Sequence, residues 1–187
     1  MPRLAPQIRD AVPEDAAALL DLWALTARSS AKAPRAQADA ERSLANVAAD
    51  PDERLLVAVV EDRIVAAMML SRGPMSPLVL DPVVHTSFLL VLPHYRRHGY
   101  GHALMDVALA WAEEKDINQV TAITDANRET NRFFARLGLT TLGTVRHSTV
   151  AGLRKKLASE RGRSGGNRHL VEVLAQRRSM RRRQETA

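Results

Sequence analysis

Hydrophobic residues recur at helical spacing in the first part of the chain. Residues 8–12 are a candidate for a short strand, and Pro13 followed by two acidic residues is typical of a helix start. Leucines and Trp23 then repeat at helical spacing through about Arg28, which predicts an amphipathic helix with Trp23 in the core. A second, more polar helix is predicted over residues 36–49.

The centre of the chain is extended and apolar. Residues 54–60 and 63–70 are apolar runs separated by two acidic residues, which predicts a hairpin. Glycine and three prolines predict a loop over residues 71–82. Residues 83–91 are too apolar to have a solvated face, which predicts a central strand.

The remaining chain alternates between helix and strand. Its apolar positions predict a helix over 102–115, a strand over 119–124, a helix over 128–137 and short strands within 139–147 and 149–156. Trp111 lies on the apolar stripe of the first of these helices and is predicted to be a core residue. This order, after a hairpin, is typical of an α/β domain with a mixed sheet.

Charge is unevenly distributed along the 187 residues, whose net charge is +6. Residues 1–157 contain 19 basic and 18 acidic residues, whereas residues 158–187 contain 8 arginines and 3 glutamates. We therefore predict one domain over 1–157 and a basic Arg-rich tail over 158–187, with a short helix over His169–Arg183. A solvated tail is the simpler interpretation, and we expect nucleic acid to bind, if at all, only through these arginines.

Composition excludes several classes of protein. The absence of cysteine excludes disulfides, thiolate metal sites and cysteine nucleophiles. No apolar run approaches the roughly 20 residues that a membrane helix requires, and the first residues lack an apolar signal segment. No set of histidines and carboxylates has metal-ligand spacing. We expect a cytoplasmic protein that binds neither a metal nor a membrane.

A turn containing two glycines carries the clearest chemical signal. Gly99 and Gly101 lie between the predicted central strand and the next helix, directly after Arg96 and Arg97. The N–H groups at a helix start, together with this positive charge, favour binding of a diphosphate. The dinucleotide-binding fingerprint is excluded because Leu104 stands where its third glycine would be, and no Gly-Lys-Ser/Thr of a P-loop follows.

This turn resembles the signature of a known family. Arg96-x-x-Gly99-x-Gly101 is similar to the Arg/Gln-x-x-Gly-x-Gly/Ala motif of the GCN5-related N-acetyltransferases, the GNAT family. The strand before it ends in Leu90-Val91-Leu92-Pro93-His94-Tyr95, similar to the family's lead-in to that motif.

Two further segments extend the resemblance to about residues 7–157. Asn127 stands seven residues before Phe134, and a Leu-Gly pair closes the segment, as in the family's second motif. The opening Ile8-Arg9-x-Ala11-x-Pro13-x-Asp15 is also similar to that of many members. The tail lies outside the resemblance, although Arg-rich tails are familiar from bacterial members.

The resemblance implies a fold, a reaction and a set of cofactor contacts. The fold would be a mixed, mostly antiparallel sheet of six or seven strands flanked by helices, with a splayed pair of strands at the cofactor site. The reaction would be direct transfer of an acetyl group from acetyl-CoA to a primary amine of a small molecule or peptide, and a homodimer would be common. By position, the cofactor would contact Leu89, Leu90, Val91, Arg96, Arg97, His98, Gly99, Tyr100, Gly101, His102, Asn127 and Phe134.

The sequence leaves undecided which group would protonate the leaving CoA thiolate. Many members have a tyrosine where this chain has Phe134. The thiolate would leave unassisted, or Tyr95 or Tyr100 would protonate it. Alternatively, the protein would be an acyl-CoA-binding regulatory module with weak catalysis.

The sequence also leaves undecided which group would deprotonate the amine. Residues 83–91 contain no carboxylate, and His85 is the only titratable side chain among them. Strict alternation along a strand would place His85, Ser87, Leu89 and Val91 on one face. His85 is therefore a candidate base, with a structural role as the alternative.

Overall fold

The computed structural model describes residues 6–26, 37–124 and 127–160. It divides into two compact units, Met1–Thr141 and Leu142–Ala187, which are described separately. The predicted tail helix at His169–Arg183 lies outside the described residues. The division into a domain over 1–157 and a tail over 158–187 stays a prediction.

The first unit is built on a mixed sheet, as predicted. Its strands stand in the order β1-β2-β3-β4-β5, and all neighbours are antiparallel except β4 and β5, which are parallel. The described residues form five strands rather than the predicted six or seven. The strands are β1 (Gln7–Asp10), β2 (Glu53–Val60), β3 (Arg63–Ser76), β4 (Val79–Val91) and β5 (Val120–Ala122).

Helices cover both faces of this sheet. They are α1 (Ala16–Thr26), α2 (Gln37–Ala49), α3 (Tyr100–Glu114) and α4 (Arg128–Arg136), with short 3-10 turns at Pro13–Asp15 and Pro93–Tyr95. One hydrophobic cluster joins the sheet to α3 and α4, and a second joins it to α1 and α2. Trp111 is buried in the first cluster, as predicted. The prediction for Trp23 is wrong, because its half-buried side chain belongs to neither cluster.

The predicted loop over residues 71–82 is wrong. Strands β3 and β4 continue through it as a long hairpin, in which Pro74 stands opposite Pro82. Pairing of β2 with β3 ends at Ser71, and pairing of β4 with β5 begins at Val84. Both prolines therefore lie where each strand has a free edge, the position at which a strand tolerates a missing N–H.

The two strands predicted within 139–147 and 149–156 are also wrong. Residues 139–149 have no regular secondary structure, and residues 150–160 are helical. In the second unit Val150, Leu153 and Leu157 follow one another at helical rather than alternating spacing, and all three are exposed. A strand needs a neighbour to pair with, and the local sequence here favours a helix instead.

A partly buried ion pair links the first strand to the 3-10 turn before α1. Both terminal nitrogens of Arg9 donate to the carboxylate of Asp15, at 2.6 and 2.8 Å, and the Val12 N–H donates to it at 2.8 Å. Only 11% of the Asp15 side chain is exposed. The hydrogen bonds from Arg9 lower the pKa of the Asp15 carboxyl, although desolvation opposes them. The spacing of Arg9, Pro13 and Asp15 thus serves the fold.

This geometry predicts a pH-dependent loss of stability in Asp15→Asn. The substitution weakens charge-assisted hydrogen bonds in a partly buried pair and should lower the free energy of unfolding by about 2 kcal/mol at pH 7. Because the folded-state pKa of Asp15 is lowered, its contribution is present above the unfolded value of about 4 and is lost as pH falls below it. Urea unfolding of both proteins should show their difference shrinking from pH 6 to pH 3.

Asp10→Asn is the matched control. Asp10 accepts from Arg54 at 2.9 and 3.0 Å, but 57% of its side chain is exposed. The expected loss is below about 1 kcal/mol. Equal losses for the two variants would contradict the special role of the Arg9–Asp15 pair.

Candidate active site

A bulge in β4 is the first element of the site. Leu90 stands opposite Ala67 and Ser87 opposite Met69, so two residues of β4 face one residue of β3. The extra residue is accommodated at Phe88, whose φ of +52° lies in the left-handed region. That conformation is strained for a bulky side chain and costs of order 1–3 kcal/mol. Bulges of this kind redirect side chains and often lie beside active sites.

The bulge reassigns the faces of β4. The Leu89 side chain packs against the hydrophobic cluster under α3, whereas the Leu90 side chain packs against the cluster under α1 and α2. Phe88 lies on the α1 face, with its ring centroid 5.0 Å from that of Trp23. The prediction that Leu89 and Val91 share a face with His85 is therefore wrong, because one extra residue shifts every later side chain.

Beyond the bulge, β4 loses its neighbour on one side. Pairing with β5 runs only from Val84 to Thr86, and Ile123 donates the last bond to the Thr86 carbonyl at 2.8 Å. Strand β4 itself continues to Val91 along β3. Among the described residues, no strand covers the outer edge of residues 87–91. This open edge is a splayed end of the β4–β5 pair, next to Leu89, Leu90 and Val91.

The open edge leads into the start of α3. Gly99 is the N-cap, with φ +89° and no side chain that caps the helix, and Ala103 donates the first helical bond to its carbonyl at 3.0 Å. The N–H groups of Tyr100, Gly101 and His102 therefore precede the helical ladder. A Cβ at Gly99 would meet nothing within 4 Å. The turn thus presents accessible backbone donors at the positive end of a helix.

Gly101 serves packing rather than backbone freedom. A Cβ at this position would lie 3.3 Å from the ring of Phe133 on α4. That ring also makes edge contacts with His102 and Phe134. The contact of Phe133 with the turn was not predicted, because nothing in the motif indicates which aromatic residue of α4 faces the turn.

The two arginines before the turn are held by a carboxylate. Glu129 in the first turn of α4 lies 3.2 Å from Arg96 and 3.7 Å from Arg97. Arg96 also donates to the Val91 carbonyl at 3.4 Å, whereas 90% of the Arg97 side chain is exposed. His98 contacts the Arg96 carbonyl through Nδ1 at 2.7 Å. Glu129 was not predicted, because only the fold brings α4 to this turn.

Asn127 and Phe134 have structural roles at the two ends of α4. Asn127 is the N-cap, and its Oδ1 accepts from the Glu129 N–H at 2.9 Å. Phe134 is 5% exposed and lies in the core cluster. The cofactor contacts expected of both residues stay predictions.

His85 is positioned by the neighbouring strand. Its Nδ1 lies 2.7 Å from Oγ1 of Thr121, its register partner on β5. By alternation from Val84, which packs under α3, His85 lies on the α1 face. His85 and Phe88 therefore share that face, three residues apart.

Tyr95 lies far from His85 in the structure. It sits in the 3-10 turn after β4, with its ring 6.2 Å from that of Tyr100 and 6.0 Å from the Arg63 guanidinium. Six strand residues separate His85 from Val91, which corresponds to about 20 Å. The structure therefore does not bring the two predicted catalytic side chains together, and the buried Tyr100 packs in the core.

Comparison with known proteins identifies the family. The sequence profile of the acetyltransferase (GNAT) family matches residues 17–139. The chain belongs to this family. The match spans β2 to β5 and α1 to α4, except for the first residue of α1, and so includes the bulge and the glycine turn of this GNAT chain. No curated protein matches at the level of sequence.

Solved structures share the GNAT fold at low identity. A transcriptional regulator from Bacillus halodurans C-125 has a TM-score of 0.66 at 18% identity, over 77% of this chain and 99% of its own. A ribosomal-protein-alanine N-acetyltransferase from Brucella melitensis biovar Abortus 2308 has a TM-score of 0.60 at 20% identity, over 78% and 99%. The aminoglycoside N-acetyltransferase AAC(6')-Iy in complex with CoA has a TM-score of 0.64 at 16% identity, over 80% of this chain and 97% of its own.

No helix among the described residues is long and apolar enough to cross a membrane. No group of three histidine, aspartate or glutamate side chains within residues 6–26, 37–124 and 127–160 has the arrangement of a metal site.

Proposed function

We propose that this GNAT protein transfers an acetyl group from acetyl-CoA to a primary amine, directly in a ternary complex. One observation carries the proposal: the open edge of β4 beyond the bulge leads straight to the uncapped N-terminus of α3. An extended thioester with a diphosphate at one end has the shape and the charge for such a path.

The diphosphate would lie at the start of α3. The N–H groups from Gly99 to His102 and the positive helix end would hold its oxygens, with support from Arg96 and Arg97. Glu129 pairs with both arginines and would share them with the ligand. Gly99 supports this role because its left-handed backbone and open surroundings keep the amides accessible.

The pantetheine arm would pair with the edge of Leu89, Leu90 and Val91, and the thioester would reach the bulge. Backbone donors there would polarise its carbonyl, and such donors typically contribute about 3 kcal/mol each to the transition state. The amine nitrogen attacks the carbonyl carbon, the C–S bond breaks, and CoA leaves as a thiolate.

His85 would accept the proton that the amine loses. If Nδ1–H donates to Thr121, the lone pair on Nε2 is available on the face that carries Phe88. Three strand residues correspond to about 10 Å, so the proton would pass from the amine to His85 through bridging waters. The thiolate would leave without help from residue 134, since Phe134 has no acidic group and is buried.

The buried phenylalanine also favours a second candidate function. A GNAT domain without an acid at this position would serve as an acyl-CoA-binding regulatory module if turnover were absent. Acetyl-CoA turnover with a broad panel of amines distinguishes the two functions. Release of CoA with any amine supports the enzyme, whereas tight binding without release supports the module.

Gly99→Ala tests the diphosphate site. The substitution strains a left-handed residue by about 1 kcal/mol and moves the amides that follow. Calorimetry should show a loss of acetyl-CoA affinity of about tenfold or more. Gly138→Ala is the control, because Gly138 has φ +87° and equally open surroundings but lies after the far end of α4. Equal acetyl-CoA affinities in the two variants would contradict the proposed site.

His85→Gln tests the base. Loss of a general base should lower kcat by about 100-fold, while the KM for acetyl-CoA stays unchanged. Thr121→Val should lower kcat less, since the imidazole remains but loses the partner that orients it. His147→Gln, an exposed histidine outside the first unit, is the control and should behave like the wild type. A wild-type kcat in His85→Gln would rule out His85 as the base.

A further inference from the structure

An aromatic surface at the bulge has no role in the core. The Trp23 and Phe88 rings lie 5.0 Å apart at an angle of 44°, yet neither residue belongs to a core cluster. Phe88 is 51% exposed although the fold strains its backbone to place it there. A strained and exposed aromatic residue is poor for stability, which points to a ligand.

The surface lies where the acetyl group would be transferred. Phe88 directly precedes the open edge of β4 and follows the last residue pair between β4 and β5 by two positions. His85 and Phe88 share the α1 face, so an amine resting on the rings would lie on the same face of the sheet as the imidazole.

The described strand segment around Phe88 carries no carboxylate. Strand residues 83–91 and 120–122 contain none. The one carboxylate of α1, Asp21, precedes Trp23 by two residues and therefore points about 200° away around the helix.

This chemistry selects among amines. Aromatic faces attract a single ammonium group and bury an apolar body. A polyamine or an aminoglycoside carries several ammonium groups, whose binding requires carboxylates that these strand residues do not supply.

We propose that Trp23 and Phe88 form the acceptor-binding surface and that the acceptor is a monoamine with an apolar or aromatic body. The inference rests on the proposed function, because it assigns the second substrate of the same reaction. It adds a substrate class and two specificity-determining residues.

A kinetic panel tests the substrate class. With saturating acetyl-CoA, 2-phenylethylamine should have a kcat/KM about tenfold or more above those of spermidine and kanamycin. A higher kcat/KM for either polycation would overturn the inference.

Two variants test the residues. Trp23→Leu and Phe88→Leu should each raise the KM for 2-phenylethylamine about tenfold, with little change in kcat or in calorimetric affinity for acetyl-CoA. Leu25→Ala is the control, because Leu25 is 62% exposed on α1 and points away from Trp23. The KM of this variant for 2-phenylethylamine should stay at the wild-type value. Unchanged KM values in both leucine variants would overturn the inference.

Failure of this inference and failure of the proposed function have different signatures. Acetyl-CoA binding with preferential acetylation of polycations overturns only the aromatic acceptor. Absence of acetyl-CoA binding in the wild type overturns the proposed function, and the acceptor role of the rings with it. Because Phe88 is half exposed, Phe88→Leu remains folded and informative even if Trp23→Leu does not.

Discussion

The interruption of β4 at Phe88 is the constraint on which the rest of the structure depends. One extra residue places two consecutive side chains on the α1 face and shifts Leu89 and Val91 to the α3 face. Pairing with β5 ends at the same level, so the backbone beyond it has an unused edge. A regular strand would have kept both neighbours and buried the whole length of β4 without a cleft.

The same interruption separates binding from chemistry along one strand. Beyond the bulge, the open edge and the start of α3 offer backbone donors and positive charge. Before it, His85, Trp23 and Phe88 offer a possible base and an aromatic surface on the opposite face of the sheet. The pairing of β4 with β3 on both sides of the bulge holds the strained backbone at Phe88 in place.

Local patterns predicted much of this arrangement, and long-range contacts account for what they missed. The helix at α3, the cap at Asn127 and the glycine turn follow from residues adjacent in sequence. Glu129 at Arg96, Thr121 at His85 and Phe133 at Gly101 join residues more than 30 positions apart, so no local pattern indicates them. The extra residue at Phe88 could not be predicted for another reason. The alternation of side chains between the two faces assumes a strand without a bulge.

A crystal structure of the full chain with coenzyme A tests the central claim most directly, because it shows where the ligand lies. We expect diphosphate oxygens about 3 Å from the amide nitrogens between Gly99 and His102. We also expect the pantetheine to run along Leu89, Leu90 and Val91 and the sulfur to lie beside Phe88. Coenzyme A bound elsewhere, or an edge of β4 closed by another segment of the chain, would contradict the assignment.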